Sequence, residues 1–253
     1  MVPELLRIGA HGVSGYGFFL TAGYAASLLA ILLLAGRQGL PVKETAAFVL
    51  FAAAVTLLGA RAPFLFKAGA TMRPTALYDG GGYFYAGLFA GMLFAFIYLP
   101  LVRLPLWWVA DVVAAGTALG YAIARVGCFL GGCCYGRPAE VPWAVRFPLL
   151  PGPVHPTQLY EAGLQLAAFF VLLAVLRRKA FDGQVIALDV ILNSLIRLGV
   201  GFFRDNSDAG FLISGTSPFT SLSVPQLIAL IGVAAGGAVY FFRRRRHAAM
   251  QGT

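Results

Sequence analysis

The sequence predicts an all-α fold, a polytopic membrane bundle of seven transmembrane helices, and three observations carry the prediction. Of the 253 residues, 59% are apolar and only 11% are charged, whereas a soluble domain carries about 25% charged residues. Mean hydropathy is +0.80. Apolar runs close to the ~20 residues that cross the hydrocarbon of a bilayer recur at 15–35, 44–60, 83–101, 106–125, 156–176, 184–203 and 224–242. A chain of this length holds one such bundle, so residues 1–253 read as a single integral-membrane domain.

The elements follow in order. The first residues lack a basic start followed by a short apolar run and a small-residue site, so no cleavable signal peptide is expected, and the segment up to Gly12 reads as lying on the membrane surface. The first span runs into Arg37, and Lys43 follows it closely. The second closes at Gly59-Ala-Arg61. A long, glycine-rich connection leads to the third, which stops before Arg103. The fourth opens at once, with Trp107 and Trp108 at its start, and reaches Arg125. The fifth begins at Pro156, where the missing N–H of proline falls on a position that is unpaired in any helix. It ends in Arg177-Arg178-Lys179. The sixth stops before Arg204, and the seventh runs into the four arginines 243–246.

Orientation follows from the same basic residues. Arg37, Lys43, Arg103, the 177–179 run and the 243–246 run fall on alternate connections. The positive-inside rule puts them in the cytoplasm, with the N-terminus outside and the C-terminus cytoplasmic. The net charge of +9 then reflects topology and anionic lipid, and no nucleic-acid partner is expected. Arg61, Lys67, Arg73, Arg125, Arg137, Arg146 and Arg204 fall on the other side, against the rule. Binding a phosphate there would account for them, and the long connections near 61–82, 125–155 and 204–223 are on that side too. Long loops on one face of a membrane protein commonly hold its site.

The densest segment is Arg125-Val-Gly-Cys-Phe-Leu-Gly-Gly-Cys-Cys-Tyr-Gly-Arg137. Its glycines admit close backbone approach, and its arginines offer a planar fork matched to phosphate. Inside the spans, Asp111, Glu161, Asp189 and Arg197 are candidates because an ionisable group costs about 2.5–3.5 kcal/mol or more at the bilayer centre. Asp111 reads as a structural charge that survives burial by pairing. His155-Pro-Thr-Gln-Leu-Tyr-Glu161 places His155, Gln158, Tyr160 and Glu161 on the opening turns of the fifth span. Cys128, Cys133 and Cys134 leave three readings open: small-residue packing, a disulfide from Cys128 to Cys133 or Cys134, and metal binding or catalysis. The spacing is weak evidence for zinc, and neither a metal nor a cofactor is expected.

These motifs resemble those of the phosphatidylglycerol–prolipoprotein diacylglyceryl transferase family. The 125–137 segment is similar to its G-R-I-G-N-F-x-N-G-E-x-Y-G-R signature, and the 155–161 segment to its H-P-S-Q-L-Y-E. Residues 197–204 look like its R-x-x-x-E-F-F-R, residues 80–88 like its G-G-x-x-F-H-G-G-L, and Gly59-Ala-Arg61 like its G-x-R. The resemblance implies an inner-membrane transferase with seven spans. It moves the diacylglyceryl group of phosphatidylglycerol onto the lipobox cysteine thiol of a prolipoprotein, and glycerol phosphate leaves. It also implies Arg125, Arg197, Tyr85, Glu161 and His155 as catalytic residues. Arg61, Gly127, Cys128, Tyr135, Gly136, Arg137, Gln158, Tyr160 and Arg204 are implied around the substrate. The chain departs from the family pattern at several positions. Tyr85 stands where the family has histidine, Cys128 and Gly131 where it has asparagine, and Cys133 and Gly201 where it has acidic residues. Phosphate binding therefore carries over more fully than proton transfer. The runner-up reading is a phospholipid-binding relative with another acceptor or without activity. A transporter is disfavoured because no matched pair of Gly/Pro-broken helices is visible.

Overall fold

The computed structural model describes residues 6–8, 11–67, 84–205, 211–213 and 222–251. Among them are seven helices: α1 (Gly15–Arg37), α2 (Val42–Lys67), α3 (Phe84–Leu101), α4 (Leu106–Gly131), α5 (Thr157–Arg177), α6 (Gln184–Gly201) and α7 (Val224–Gln251). Six are long and apolar enough to cross a membrane, and α3 supplies a shorter apolar stretch, Ala86–Leu101. The protein is a multi-pass, all-α membrane protein. Large apolar side chains such as Leu58, Phe89, Phe96, Leu101 and Phe242 are exposed on the helices, as a lipid-facing surface requires. Three short antiparallel ribbons accompany the helices: β1 (Leu6–Ile8) with β2 (His11–Val13), β3 (Val145–Arg146) with β4 (Pro153–Val154), and β5 (Phe211–Ile213) with β6 (Leu222–Ser223).

Every expected span has its helix, but three run well beyond the apolar pattern, α2 as far as Lys67. α7 continues through the arginines to Gln251, because Arg, Ala, Met and Gln are good helix formers once outside the hydrocarbon. α4 continues past Arg125 to Gly131, so the first half of the glycine-rich segment is helix rather than turn. Arg125 and Cys128 thereby acquire fixed helical positions.

The chain packs as two compact units, Met1–Ile31 with Ala110–Thr253, and Leu32–Val109. In the second unit α2 packs on α3, and Phe48, Phe94 and Tyr98 stack with ring centroids 4.9–6.1 Å apart. In the first unit α4 is the most buried of the apolar helices. It meets α1 where Gly120 and Gly23 come together. A Cβ on Gly23 would lie 2.7 Å from the Gly120 carbonyl oxygen, so only glycine lets these two backbones approach. Ser27 closes the same contact by donating to the Gly116 carbonyl, 3.1 Å away. At the start of α7, Ser223 and Gln226 form a capping pair: the Gln226 Oε1 accepts from the Ser223 N–H at 3.0 Å and from its hydroxyl at 2.9 Å.

Asp111 settles the register of α4 against α5 and α6. Its carboxylate is fully buried and accepts from the backbone N–H groups of Gly183, Val185 and Ile186 at 2.9, 2.9 and 3.0 Å. It therefore caps the N-terminus of α6 from another helix, where the helix dipole favours negative charge. Lys179 completes the cluster at 3.1 Å and also reaches Asp182 at 2.7 Å. Arg243 of α7 donates to the Asp182 carbonyl at 2.9 Å. Asp111 is a structural charge, as its sequence context suggested.

Replacing Asp111 with alanine strips these N–H groups and the ammonium of their acceptor, and removing one partner of a buried ion pair costs about 3–5 kcal/mol. Thermal unfolding in detergent should show D111A markedly less stable than wild type, with D111N in between. A D111A variant as stable as wild type would refute the capping role.

Candidate functional site

The site is built where the ends of α4 and α6 meet the start of α5. Helix α5 begins directly after Pro156, which sits at its N-cap with φ −77°. Proline cannot continue a helix N-terminally without losing a hydrogen bond, so the chain turns here. Glu161 on the second turn of α5 is then carried inward, and its side chain is only 2% exposed. Its Oε2 lies 2.5 Å from Arg125 Nε of α4. The contact is an ion pair and not an aligned hydrogen bond, since the N–H does not point along the line. Its Oε1 accepts from Arg197 Nη1 of α6 and from Arg204 Nη1, which follows α6, each at 3.3 Å.

Three guanidiniums therefore share one carboxylate. The arginine side chains are 12%, 30% and 14% exposed, so their charges are weakly screened and strongly felt. The cluster carries an excess of two positive charges, which suits an anion with several oxygens. Arg125 is oriented further by Tyr121, one turn back on α4. The Tyr121 hydroxyl accepts from Arg125 Nη2, and the guanidinium lies over the Tyr121 ring, 4.8 Å from its centroid.

A three-stranded backbone arrangement frames this cluster. Gly136 N donates to the His155 carbonyl at 2.9 Å, His155 N to the Arg137 carbonyl at 3.0 Å, and Arg137 N to the Phe203 carbonyl at 2.9 Å. Arg137 Nε donates to the Arg204 carbonyl at 3.0 Å, so Arg137 holds the Arg204 backbone while Arg204 faces Glu161. Gly136 lies at the centre. A Cβ there would sit 2.5 Å from the Phe203 carbonyl oxygen and 2.7 Å from the His155 Cβ, which excludes every other residue.

The opening turn of α5 grips the cysteine turn. Thr157 Oγ1 donates to the Cys134 carbonyl at 2.9 Å, and Gln158 Nε2 to the Cys133 carbonyl at 2.7 Å. Gln158 thus braces the loop. Hydrogen bonds among the three thiols, Cys128 first, push Cys133 above and hold Cys134 below the ordinary cysteine range. Tyr135 packs on Phe147, centroids 5.9 Å apart. Gly127 fits against Phe19 and Tyr16 of α1.

Tyr160 and His155 form a second polar pair. Trp143 Nε1 donates to the Tyr160 hydroxyl at 2.7 Å, and that hydroxyl lies 3.2 Å from His155 Nδ1. With the indole as donor, the Tyr160 proton is available to His155 Nδ1, which assigns the neutral imidazole its Nε2–H tautomer. Desolvation lowers the His155 pKa from its usual value, favouring that neutral form. Tyr160 and Phe203 also border an apolar groove of about 460 Å³ between α5 and α6, lined by Leu164, Leu195, Ile196 and Gly199.

Of the residues singled out in the sequence, the structure brings Arg125, Arg197, Arg204 and Glu161 together. It places Arg137, Gly136, His155, Gln158 and Tyr160 on the backbone frame around them. Arg61, half-buried near the end of α2, and Tyr85 belong to the other unit. The side chain of Tyr85 lies outside the described residues, as do Arg73 and the glycines 80–82. Asp189 serves elsewhere: Asn193 donates to its Oδ1 at 2.7 Å and itself accepts from Gln165 Nε2 at 2.6 Å. Tyr121, Trp143 and Thr157 were not picked out as site residues. Tyr121 was discoverable from its four-residue spacing to Arg125 on a helix; Trp143 is joined to Tyr160 by tertiary contact alone. At Gly201 a Cβ would lie 3.0 Å from Gln226 Cγ, so an acidic side chain there would displace the cap of α7.

The sequence model of the family described as prolipoprotein diacylglyceryl transferase matches residues 3–242. The chain is 31% identical over 240 residues to a phosphatidylglycerol–prolipoprotein diacylglyceryl transferase of Geobacter sulfurreducens, covering 89% of this chain and 91% of that protein. It is 32% identical over 247 residues to proteins of the same name in Brucella canis and Brucella ovis, covering 89% of this chain and 88% of theirs.

Glu161→Gln keeps the shape of the cluster and raises its excess charge. The variant should lose about 1–3 kcal/mol of stability, less than a fully buried pair because Arg197 keeps some solvent. Added inorganic phosphate should raise the melting temperature of E161Q more than that of wild type. Equal phosphate responses would argue against an anion site at these arginines.

Proposed function

The chain belongs to the prolipoprotein diacylglyceryl transferase family, and on that premise we propose that it moves the diacylglyceryl group of phosphatidylglycerol onto the lipobox cysteine of a prolipoprotein. The observation that carries this reading is the convergence of Arg125, Arg197 and Arg204 on buried Glu161. The excess of two positive charges matches a headgroup phosphate whose negative charge grows as the bond to the lipid breaks. Pre-set cations in a poorly solvated pocket stabilise that developing charge without reorganising. The groove between α5 and α6 suits the apolar part of the lipid beside the phosphate. We place the protein in the bacterial inner membrane, with the N-terminus and the site outside and residues 1–253 acting as one transferase domain.

In the proposed reaction, the acceptor thiol gives its proton to the Tyr160 oxygen while Tyr160 passes its own to His155 Nδ1. The thiolate sulfur attacks the glycerol carbon of the diacylglyceryl group, and the carbon–oxygen bond to phosphate breaks. The electron pair stays on the phosphate oxygen, facing the guanidiniums, and glycerol phosphate leaves. The imidazolium returns its proton to the departing phosphate. Glu161 is too tightly engaged by three cations to serve as the base; it positions them. Tyr160 is placed for the relay because it borders the groove and touches His155. Arg137 acts through the Arg204 backbone. Gly127, Cys128, Tyr135, Gly136 and Gln158 shape the loop around the substrate, while Arg61 stands where the family places the arginine of its G-x-R and Tyr85 where it places histidine.

Transfer of radiolabelled diacylglyceryl from phosphatidylglycerol to a lipobox precursor in reconstituted membranes tests the assignment. R125A and R197A should each lower transfer by more than about a hundredfold, the scale of losing one donor to a developing oxyanion, and R137A by less. Full activity in R125A and R197A would sink it, and lipid binding without transfer in wild type would mark a binding relative. Protonating His155 removes the acceptor, so kcat/KM should fall as pH drops through the lowered pKa of His155, below about 6.5. H155N should have low activity without that acidic limb. An unchanged limb in H155N would remove His155 from the relay.

A further inference from the structure

The transfer reaction takes its thiol from the substrate and asks no thiol chemistry of the three cysteines of this chain. We propose that Cys128, Cys133 and Cys134 form a three-thiolate site for a soft d10 cation, and that Cu(I) is the ion it suits best. The three Sγ atoms all lie within 4.8 Å of one another, although Cys128 is on the last turn of α4 and the other two lie beyond its end. They are all the cysteines in the chain, and all three are free. A disulfide would use two and strand the third, whereas a trigonal metal site uses the convergence of all three.

The turn that gathers them is held in place. Gly132 and Cys134 both adopt left-handed backbone, with φ of 66° and 63°. For a cysteine that conformation is uncommon, and it persists where the surroundings over-determine it. Here the restraints are the Cys133 N–H donating to the Cys128 carbonyl at 3.2 Å, and the side chains of Thr157 and Gln158 donating to the Cys134 and Cys133 carbonyls. The thiol positions are therefore set before any ion arrives, which lowers the ordering cost of binding.

Ligand type and number choose the metal. Thiolates select soft ions such as Cu(I) and zinc. Structural zinc sites take four ligands, and among the described residues no fourth His, Cys, Asp or Glu joins this group. Three soft ligands match Cu(I). Binding changes no oxidation state and releases one proton for each sulfur that is still a thiol: Cu(I) and three thiolates give a complex of charge −2. The positive charges of Arg125 and Arg204, which already act on Cys134, offset that charge. Cys133 is exposed and gives the ion a way in.

The test uses the full-length protein in detergent, reduced and without oxygen, titrated with Cu(I) against a chromogenic Cu(I) chelator. Wild type should retain one Cu(I) per chain. C128S, C133S and C134S should each weaken retention by about tenfold or more, and X-ray absorption should show copper surrounded by three sulfurs. C133S alters the exposed member and keeps the other two in place, so its loss separates ligation from unfolding when its melting temperature equals that of wild type. Retention equal in wild type and the triple serine variant, or copper without sulfur neighbours, would overturn the proposal. So would a disulfide among these cysteines that persists under reducing purification. Because the probe is the metal alone, failure here leaves the transferase reading standing, and loss of transfer in R125A leaves this one standing.

Discussion

The first unit depends on a single carboxylate placed among three guanidiniums. Glu161 at this depth would be prohibitively costly alone, and so would Arg125, Arg197 and Arg204. Each makes the other tolerable, and the contact draws the end of α4, the start of α5 and the end of α6 to one point. The match is incomplete in charge. Two positive charges are left over in a poorly solvated place, and an anionic lipid headgroup is the partner that a membrane supplies in quantity.

A second buried carboxylate shows what a finished charge looks like. Asp111 is on the same helix as Arg125, fourteen residues away, or about 21 Å along an α-helix. Three backbone N–H groups and Lys179 surround it, so nothing is left over to recruit a ligand. Asp111 fastens one end of the unit and Glu161 organises the other. The difference lies in stoichiometry: the anion is matched at one end and outnumbered at the other.

Much of this was legible in the sequence. The spans were, because crossing hydrocarbon sets a minimum apolar length that few other folds need, and each expected run has its helix. So was the structural character of Asp111, since a lone acid on an apolar helix must find partners. The 155–161 segment showed itself by packing His, Gln, Tyr and Glu into seven residues at a proline-led helix start. Reading Glu161 as a catalytic residue did not anticipate its three cations. Arg204 comes after the end of α6, so no helical periodicity ties it to Glu161. Trp143 reaches Tyr160 from an irregular loop where no period operates.

The sequence alone determined the class of protein, the number and order of its helices and the residue types of its site. Those depend on local quantities: apolar length, proline and glycine placement, and charge at membrane depth. Tertiary structure alone decided which arginines share Glu161, that Tyr160 stands between an apolar groove and His155, and that three cysteines meet. The physical reason is that charge pairing and ligand geometry are set by distances between separate helices and loops, which depend on packing and leave no periodic trace along the chain.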